Sequence, residues 1–288
     1  MHELFYTTYV PMIKNFNINR KLFTGLYSAR LRIAAACAVV LFLSAGCLRQ
    51  KEEAKENETG AEQTGQADEQ PALPSFASLP PSAVIDSLQL KAYGVDNCFS
   101  ISPIDSIIRH RIEGKSFNET SPVDLEDLRY LTVLHVGFDG KTHKGEIVCH
   151  KGLAGDFIEV FRTLYENNYP IYSIRLVDDF DGDDNRSMAA NNTSSYNART
   201  VPGTTKLSSH AYGQAIDINP LYNPMIEYKG GKTQVLPPNG EPYVDRTRDF
   251  PYKITTSDLC CREFKRRVYR WVGDWTSMKD YQQFDRRL

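Results

Sequence analysis

The chain has 288 residues, of which 41% are hydrophobic, and it carries 34 Lys and Arg against 36 Asp and Glu. This composition is typical of a globular protein with one large or two small domains, and it excludes collagen, coiled coil and wholesale disorder. A formal net charge of −2 supplies no basic field that could displace the counterions of a phosphate backbone, so we expect no nucleic acid partner. Function should therefore lie in local sites.

The first 46 residues have the organisation of an export signal. Arg30 and Arg32 precede an apolar run over residues 33–45, which is shorter than the ~20 residues that a membrane span needs. The run ends in small residues before Cys47, and this order resembles bacterial lipoprotein signals, in which that cysteine is lipidated. We expect residues 1–46 to be removed and Cys47 to carry a lipid anchor. A plain signal peptide with an incidental cysteine is the alternative.

Residues 47–70 predict a disordered tether, because they contain almost no large apolar side chain to offset the entropy of ordering. Anchor and tether together indicate an exported protein held at a membrane of the bacterial cell envelope, at the outer membrane or on the cell surface. Residues 71–288 should fold as one domain, since no second linker and no repeat interrupts them.

The first half of this domain predicts helices around residues 82–92 and after residues 121–122, where a Ser-Pro pair suits a helix start. Strands are expected over residues 131–138 and 145–150, joined by an Asp-Gly turn signal. Residues 156–168 then place apolar side chains on one helical face, which indicates an amphipathic helix.

The second half predicts a buried strand over residues 171–177 and a second strand over residues 214–219. Between them lies a polar stretch, residues 178–205, and loops this long in compact domains tend to be functional or disordered. A last helix is expected over residues 257–272, with Val268 and Trp271 on its apolar face.

The densest chemistry lies in residues 208–217, which read Ser-Ser-His-Ala-Tyr-Gly-Gln-Ala-Ile-Asp. A loop histidine followed seven residues later by a strand aspartate offers one imidazole and one carboxylate, a pair of metal-ligand types. A buried structural histidine and a strand-end aspartate are the alternative. The run also fits S-x-H-x-x-G-x-A-x-D at every fixed position. In this it resembles the D-alanyl-D-alanine carboxypeptidase / L-alanyl-D-glutamate endopeptidase family of zinc peptidases.

The resemblance extends from about residue 130 to the C-terminus. It implies an α+β fold, a hedgehog/D-Ala-D-Ala peptidase-like domain with a mostly antiparallel central sheet flanked by helices. It also implies Zn²⁺ as cofactor, with His210 and Asp217 as ligands.

The family's C-terminal segment, W-G-G-D-W followed by D-x-x-H-F, supplies a general base and the last ligand. Here it reads Trp-Val-Gly-Asp-Trp over residues 271–275 and Asp-Tyr-Gln-Gln-Phe over residues 280–284. The resemblance therefore puts Asp280 at the general base and Gln283 at the third metal ligand, where the family has histidine. Because an amide oxygen suits zinc less well than an imidazole nitrogen, we expect a reduced zinc affinity.

The resemblance further implies a cleft for peptidoglycan peptides. Arg199 is expected to contact a substrate carboxylate or the oxyanion, and the expected substrate-binding residues are Ser208, Tyr212, Asn192 and Trp275. Two functions stay open. One is a zinc peptidase, carboxypeptidase or endopeptidase, that cuts stem peptides. The other is an impaired or inactive homologue that binds cell-wall peptides or a protein partner.

Three further features of the sequence give less information about function. The acidic run over residues 178–184 could suggest calcium, although a solvated loop that orders the cleft is the favoured interpretation. The remaining histidines of the domain are not expected to replace the missing ligand; they are His110, His135, His143 and His150. An oxidising envelope allows one or two disulfides, of undetermined pairing, among Cys98, Cys149, Cys260 and Cys261.

Overall fold

The computed structural model describes residues 73–276 and 278–288. The expected signal over residues 1–46, the lipidation site Cys47 and the tether over residues 47–70 lie outside the described residues. In the described part, no helix has both the length and the apolar character needed to cross a membrane.

The described chain combines helices with antiparallel sheets, which confirms the α+β class. The helices are α1 (Ser87–Tyr93), α2 (Ser106–Ile112), α3 (Ala154–Glu166), α4 (Asp184–Ala189) and α5 (Leu259–Arg266). The strands are β1 (Ser100–Pro103), β2 (Leu128–Val136), β3 (Thr142–His150), β4 (Ser173–Ile174), β5 (Asn192–Thr193), β6 (Ala215–Asp217), β7 (Met225–Lys229), β8 (Lys232–Leu236), β9 (Arg270–Trp271), β10 (Met278–Asp280) and β11 (Gln283–Asp285).

The largest sheet has the order β1-β2-β3 and is antiparallel throughout. Its hairpin turns at Gly140, whose φ of 73° lies in the left-handed region that glycine tolerates, as the Asp-Gly signal predicted. Helix α3 covers this sheet with Phe157, Val160 and Phe161 fully buried, so the amphipathic helix is also confirmed. This layer is the main hydrophobic core.

Two smaller antiparallel sheets, β6-β11-β9 and β10-β7-β8, carry the C-terminal half, and β4 pairs with β5 in parallel. In β11, Phe284 is buried and its ring stacks on that of Phe264 at a centroid distance of 4.6 Å. Since side chains alternate along a strand, Gln283 and Asp285 project from the opposite face. That face carries the candidate site.

The helix expected over residues 257–272 is wrong beyond Arg266. Helix α5 ends there, and Val268 follows with a φ of 65° and a side chain 77% exposed, instead of facing the core. The chain reverses at this position, so that Trp271 packs in β9 beside Phe284 rather than on a helix. A left-handed residue stops an α-helix, and apolar periodicity could not reveal it because valine rarely adopts that conformation.

Other expected elements are shorter than the patterns predicted. After residues 121–122 the structure has a single 3₁₀ turn, Leu125–Asp127, in place of a helix. The strand expected over residues 171–177 is reduced to β4, although its aliphatic side chains are buried as expected. Within the polar stretch 178–205 lie α4 and β5, whose hydrogen bonds order it beside the cleft.

The four cysteines that the structure describes, Cys98, Cys149, Cys260 and Cys261, are free and buried, so none of the disulfides that the sequence allows among them is formed. Burial raises the pKa of the Cys98 and Cys261 thiols to about 11. A buried thiol with a raised pKa behaves as a small hydrophobic group of low reactivity.

A buried ionic group fastens the first described segment to the main sheet. The Lys144 side chain is fully buried, and its Nζ donates to the carbonyl oxygens of Ala77 and Leu79 at 2.9 and 2.6 Å. The same Nζ lies 3.1 Å from Glu146 Oε1, and Glu146 accepts a further bond from Arg111 Nη2 at 2.7 Å. Every charge in the group therefore has a partner, which is the condition for stable burial.

Replacing Lys144→Met should lower the free energy of unfolding by about 3–5 kcal/mol, because it removes the hydrogen bonds to the Ala77 and Leu79 carbonyl groups and one of the two cations that neutralise the buried Glu146 carboxylate. Urea unfolding measures this change. The matched control is Lys141→Met on the exposed hairpin turn, where we expect a change within about 0.5 kcal/mol. Equal losses in the two variants would contradict the role assigned to Lys144.

Candidate metal centre

The histidine of the motif is set in a tight turn that its neighbours enforce. Ser208 caps the 3₁₀ turn Ser209–Tyr212, and its hydroxyl accepts a hydrogen bond from His210 N at 3.3 Å. Gly213 follows with a φ of 63°, and a Cβ added there would lie 2.5 Å from the backbone nitrogen of His150. Glycine is therefore required, and the chain enters β6 two residues later.

The imidazole of His210 is buried and held in one tautomer. Its Nδ1 lies 2.6 Å from the carbonyl oxygen of Ser195, which can only accept, so Nδ1 carries the proton and donates. In the neutral imidazole the lone pair of Nε2 is then free, and Nε2 lies 3.4 Å from Asp217 Oδ1. Burial lowers the pKa of His210, but the facing negative charge of Asp217 outweighs it and raises that pKa overall. A backbone carbonyl that orients a histidine through Nδ1 is a usual support for a metal ligand.

The two facing atoms fit a metal ion. His210 Nε2 and Asp217 Oδ1 are buried and have no hydrogen-bond partner among the described residues. Leaving such atoms unpaired costs stability unless a ligand satisfies them. Two ligands about 2.0–2.1 Å from a tetrahedral zinc ion lie about 3.4 Å apart, the separation seen between these atoms.

Gln283 stands next to this pair. In the antiparallel pairing of β6 and β11, Gln283 lies directly opposite Asp217, so both side chains project from the same face of the sheet. Across residues 73–276 and 278–288, no group of three or more His, Cys, Asp and Glu side chains is arranged to hold a metal. A third protein ligand at this position would therefore be the neutral amide of Gln283.

Asp280 approaches from β10 and is also buried. Its Oδ1 has no hydrogen-bond partner in the described part of the chain. Burial, and then the negative charge of Asp217, raises the pKa of the Asp280 carboxyl above its ordinary value. The two carboxylates thus share one site with His210, and a cation placed between them would relieve their repulsion.

A cavity of about 880 Å³ opens over these groups. Arg199 forms part of its wall and is fixed by Asp184, whose Oδ2 lies 2.7 Å from Arg199 Nη2. Several other residues expected from the sequence also line it, namely Ser208, Tyr212, Asp217, Trp275, Asp280 and Gln283. His210 lies behind the wall, 1% exposed, next to Asp217.

Asn192, expected to bind substrate, is not among the residues that line this cavity. Its side chain is fully buried and its polar atoms are used inside the fold. Oδ1 accepts from Ser173 Oγ and Arg175 N, while Nδ2 donates to the Arg175 carbonyl and to Ser187 Oγ. These bonds give Asn192 a structural role in joining β4 to α4.

The acidic run over residues 178–184 has its carboxylates occupied by protein groups. Asp178 accepts from the backbone and hydroxyl of Ser116, Asp183 caps α4, and Asp184 holds Arg199. These contacts match the favoured interpretation of a loop that orders the cleft and leave the calcium alternative without support.

Sequence reasoning missed three polar residues of the cleft. Asp184 belongs to the acidic loop in the sequence, and Arg270 and Asp285 belong to no recognised motif, although they form a bidentate pair in the cavity wall. The alternation of β11 was a usable signal for Asp285, because Gln283 and Asp285 must share a face. Arg270 gave no signal, since it lay inside the expected helix.

Comparison with known protein families gives a match over the C-terminal part of the chain. Residues 202–286 match a family described as D-alanyl-D-alanine carboxypeptidase. This segment is less than a third of the chain, and it contains His210, Asp217, Asp280 and Gln283. No curated protein matches the chain, and no solved structure does so.

Zinc should raise the melting temperature of the protein, since a ligand at 100 times its Kd stabilises the folded state by about 2.7 kcal/mol. We expect Gln283→His to tighten zinc binding on the order of tenfold or more, and His210→Ala to remove the shift. Thermal unfolding across a zinc titration measures both effects. The control is His110→Ala on the exposed face of α2, and an equal loss there, or none in His210→Ala, would contradict this site.

Proposed function

We propose that the protein is a zinc-dependent peptidase acting on the stem peptides of peptidoglycan, because residues 202–286 match the family described as D-alanyl-D-alanine carboxypeptidase. The observation that carries the proposal is a pair of buried ligand atoms, His210 Nε2 and Asp217 Oδ1, which have no hydrogen-bond partner within the described residues and lie at the edge of a large cleft. His210, Asp217 and Gln283 would hold the metal. When bound, zinc supplies Lewis acidity, which polarises a peptide carbonyl and makes water a stronger acid.

The other roles fall to residues of the cleft wall. Asp280, buried beside Asp217, would take a proton from the attacking water and return it to the leaving amine. Arg199 is presented to the cavity by its ion pair with Asp184, and it would bind a substrate carboxylate or the developing oxyanion. Tyr212 and Trp275 offer aromatic surface for the peptide.

A second function is supported by one residue. Gln283 replaces the imidazole ligand of the family pattern with an amide, which weakens zinc binding without changing the charge of the site. A homologue that retains the cleft and has lost turnover would bind wall peptides, or a protein partner, and release no product.

The proposed substrate agrees with the proposed location. The sequence before residue 71 predicts export and a lipid anchor on Cys47, which would hold the domain by a membrane of the bacterial envelope within reach of the cell wall. Peptidoglycan peptides and the anchoring membrane are the partners that follow.

Digestion of purified muropeptides, with products identified by mass spectrometry, tests the peptidase. We expect the wild type to release D-Ala or to cut the stem, Gln283→His to be faster, and a chelator to stop both. Asp280→Asn should lower the rate by about 10²–10⁴-fold through loss of the proton acceptor.

The matched control is Asp274→Asn, which changes a half-exposed aspartate paired with Lys265 outside the cavity wall and should keep the wild-type rate. An inactive wild type beside an active Gln283→His variant would reject catalysis by this protein in favour of the binding function. Inactivity of both variants with zinc present would reject the peptidase site altogether.

A further inference from the structure

Arg270 lies on the cleft face of the sheet that carries the metal site. It sits in β9 directly across from Asp285 of β11. Its Nε and Nη2 donate to the two oxygens of Asp285 at 2.9 and 2.6 Å, a forked geometry that fixes the plane of the guanidinium. Asp285 is itself buried and accepts a third bond from Ser209 Oγ at 3.3 Å, next to His210 in the chain.

This pairing leaves one edge of the guanidinium for a ligand. Arg270 Nη1 has no hydrogen-bond partner among the described residues, and the side chain remains 46% exposed. Trp275 lies with its ring 5.6 Å from the guanidinium carbon, and both residues line the cavity. Asp285 also lines the cavity, but its side chain is only 3% exposed, so the guanidinium is the more accessible group of the pair and offers N–H donors to a ligand.

The distance from Arg270 to the candidate metal ligands determines how many substrate residues separate the cleaved bond from a group bound by Arg270. Asp285 is two residues beyond Gln283 on the same face of β11, which corresponds to about 7 Å. Arg270 is one strand further on. An extended peptide covers such a separation in about two or three residues.

We propose that Arg270, held by Asp285, forms a subsite for a carboxylate of the peptide substrate, two or three residues from the bond that is cut. The inference rests on the proposed function for the identity of the peptide. The subsite selects peptides that carry a free carboxylate at that distance, and amidation of that carboxylate removes the ligand. Lys206 and Arg287 also line the cavity and are exposed, as Arg270 is, but among the described residues only Arg270 of the three is held by a buried carboxylate.

Equilibrium binding to the chelator-treated protein tests the subsite without consuming peptide. The probes are the pentapeptide L-Ala-D-Glu-L-Lys-D-Ala-D-Ala, the same peptide amidated at its C-terminus, and the same peptide amidated at the free carboxyl of D-Glu. The two amides separate the two sources of the carboxylate. Arg270→Gln should weaken binding of the free peptide at least about tenfold, as expected for a hydrogen bond between charged groups.

Amidation of the carboxylate that Arg270 binds should weaken binding to the wild type by the same factor. Arg270→Gln should then weaken the binding of that amide no further. The control is Arg266→Gln on α5, an exposed arginine paired with Glu263 away from the cavity, which should change the affinity less than twofold. Arg270→Gln/Asp285→Asn, a neutral pair, repeats the measurement if the single variant fails to fold.

Equal weakening of the free peptide and of both amides by Arg270→Gln, or no weakening of the free peptide, would overturn the subsite. So would a wild type that binds none of the three probes. Carboxylate-dependent binding by a protein that digests no muropeptide would keep the subsite and reject the peptidase, so the two proposals fail separately.

Discussion

The pairing of β11 between β6 and β9 brings the candidate site together. It places Gln283 opposite Asp217, although 65 residues lie between them in the chain. The register of β11 is fixed on the core face of the sheet, because Phe284 is buried there against the rings of Phe264 and Trp271. A shift of one residue would turn Phe284 into the cleft and Gln283 into the core. This register is disfavoured because it would lose the stabilisation from burying the Phe284 ring.

The site that this pairing creates is unfavourable as bare protein. Two carboxylates and an imidazole are buried together, and each has an atom without a hydrogen-bond partner in the described residues. Such groups are tolerated when a ligand satisfies them or when function maintains them. Neighbouring groups hold the side chains of the site in place, since the Ser195 carbonyl orients His210 and the Asp184 carboxylate orients Arg199. The cleft is therefore preorganised around one position.

The sequence predicted that His210 and Asp217 lie together better than it predicted their surroundings. The two residues stand in one short motif, and the resemblance of that motif to the zinc peptidases, rather than the spacing alone, marks them as candidate ligands. Asn192 shows where prediction from sequence fails. A polar residue in a segment beside the cleft can use its amide for hydrogen bonds inside the fold instead of for substrate binding. The Arg270–Asp285 pair depends on the early end of α5, which follows from backbone conformation at Val268 rather than from any pattern of side chains. Long-range pairing and left-handed residues are the two features that local periodicity does not encode.

The central claim is that His210 Nε2 and Asp217 Oδ1 face each other in order to hold a metal, with Gln283 as a weak third ligand. The most direct measurement is a crystal structure of the wild-type protein with zinc, collected at the zinc absorption edge. The account predicts an anomalous peak between those two atoms, about 2.0–2.2 Å from each, with the Gln283 amide oxygen turned towards it. An empty position between the two atoms at saturating zinc, or a peak bound by other side chains, would contradict it.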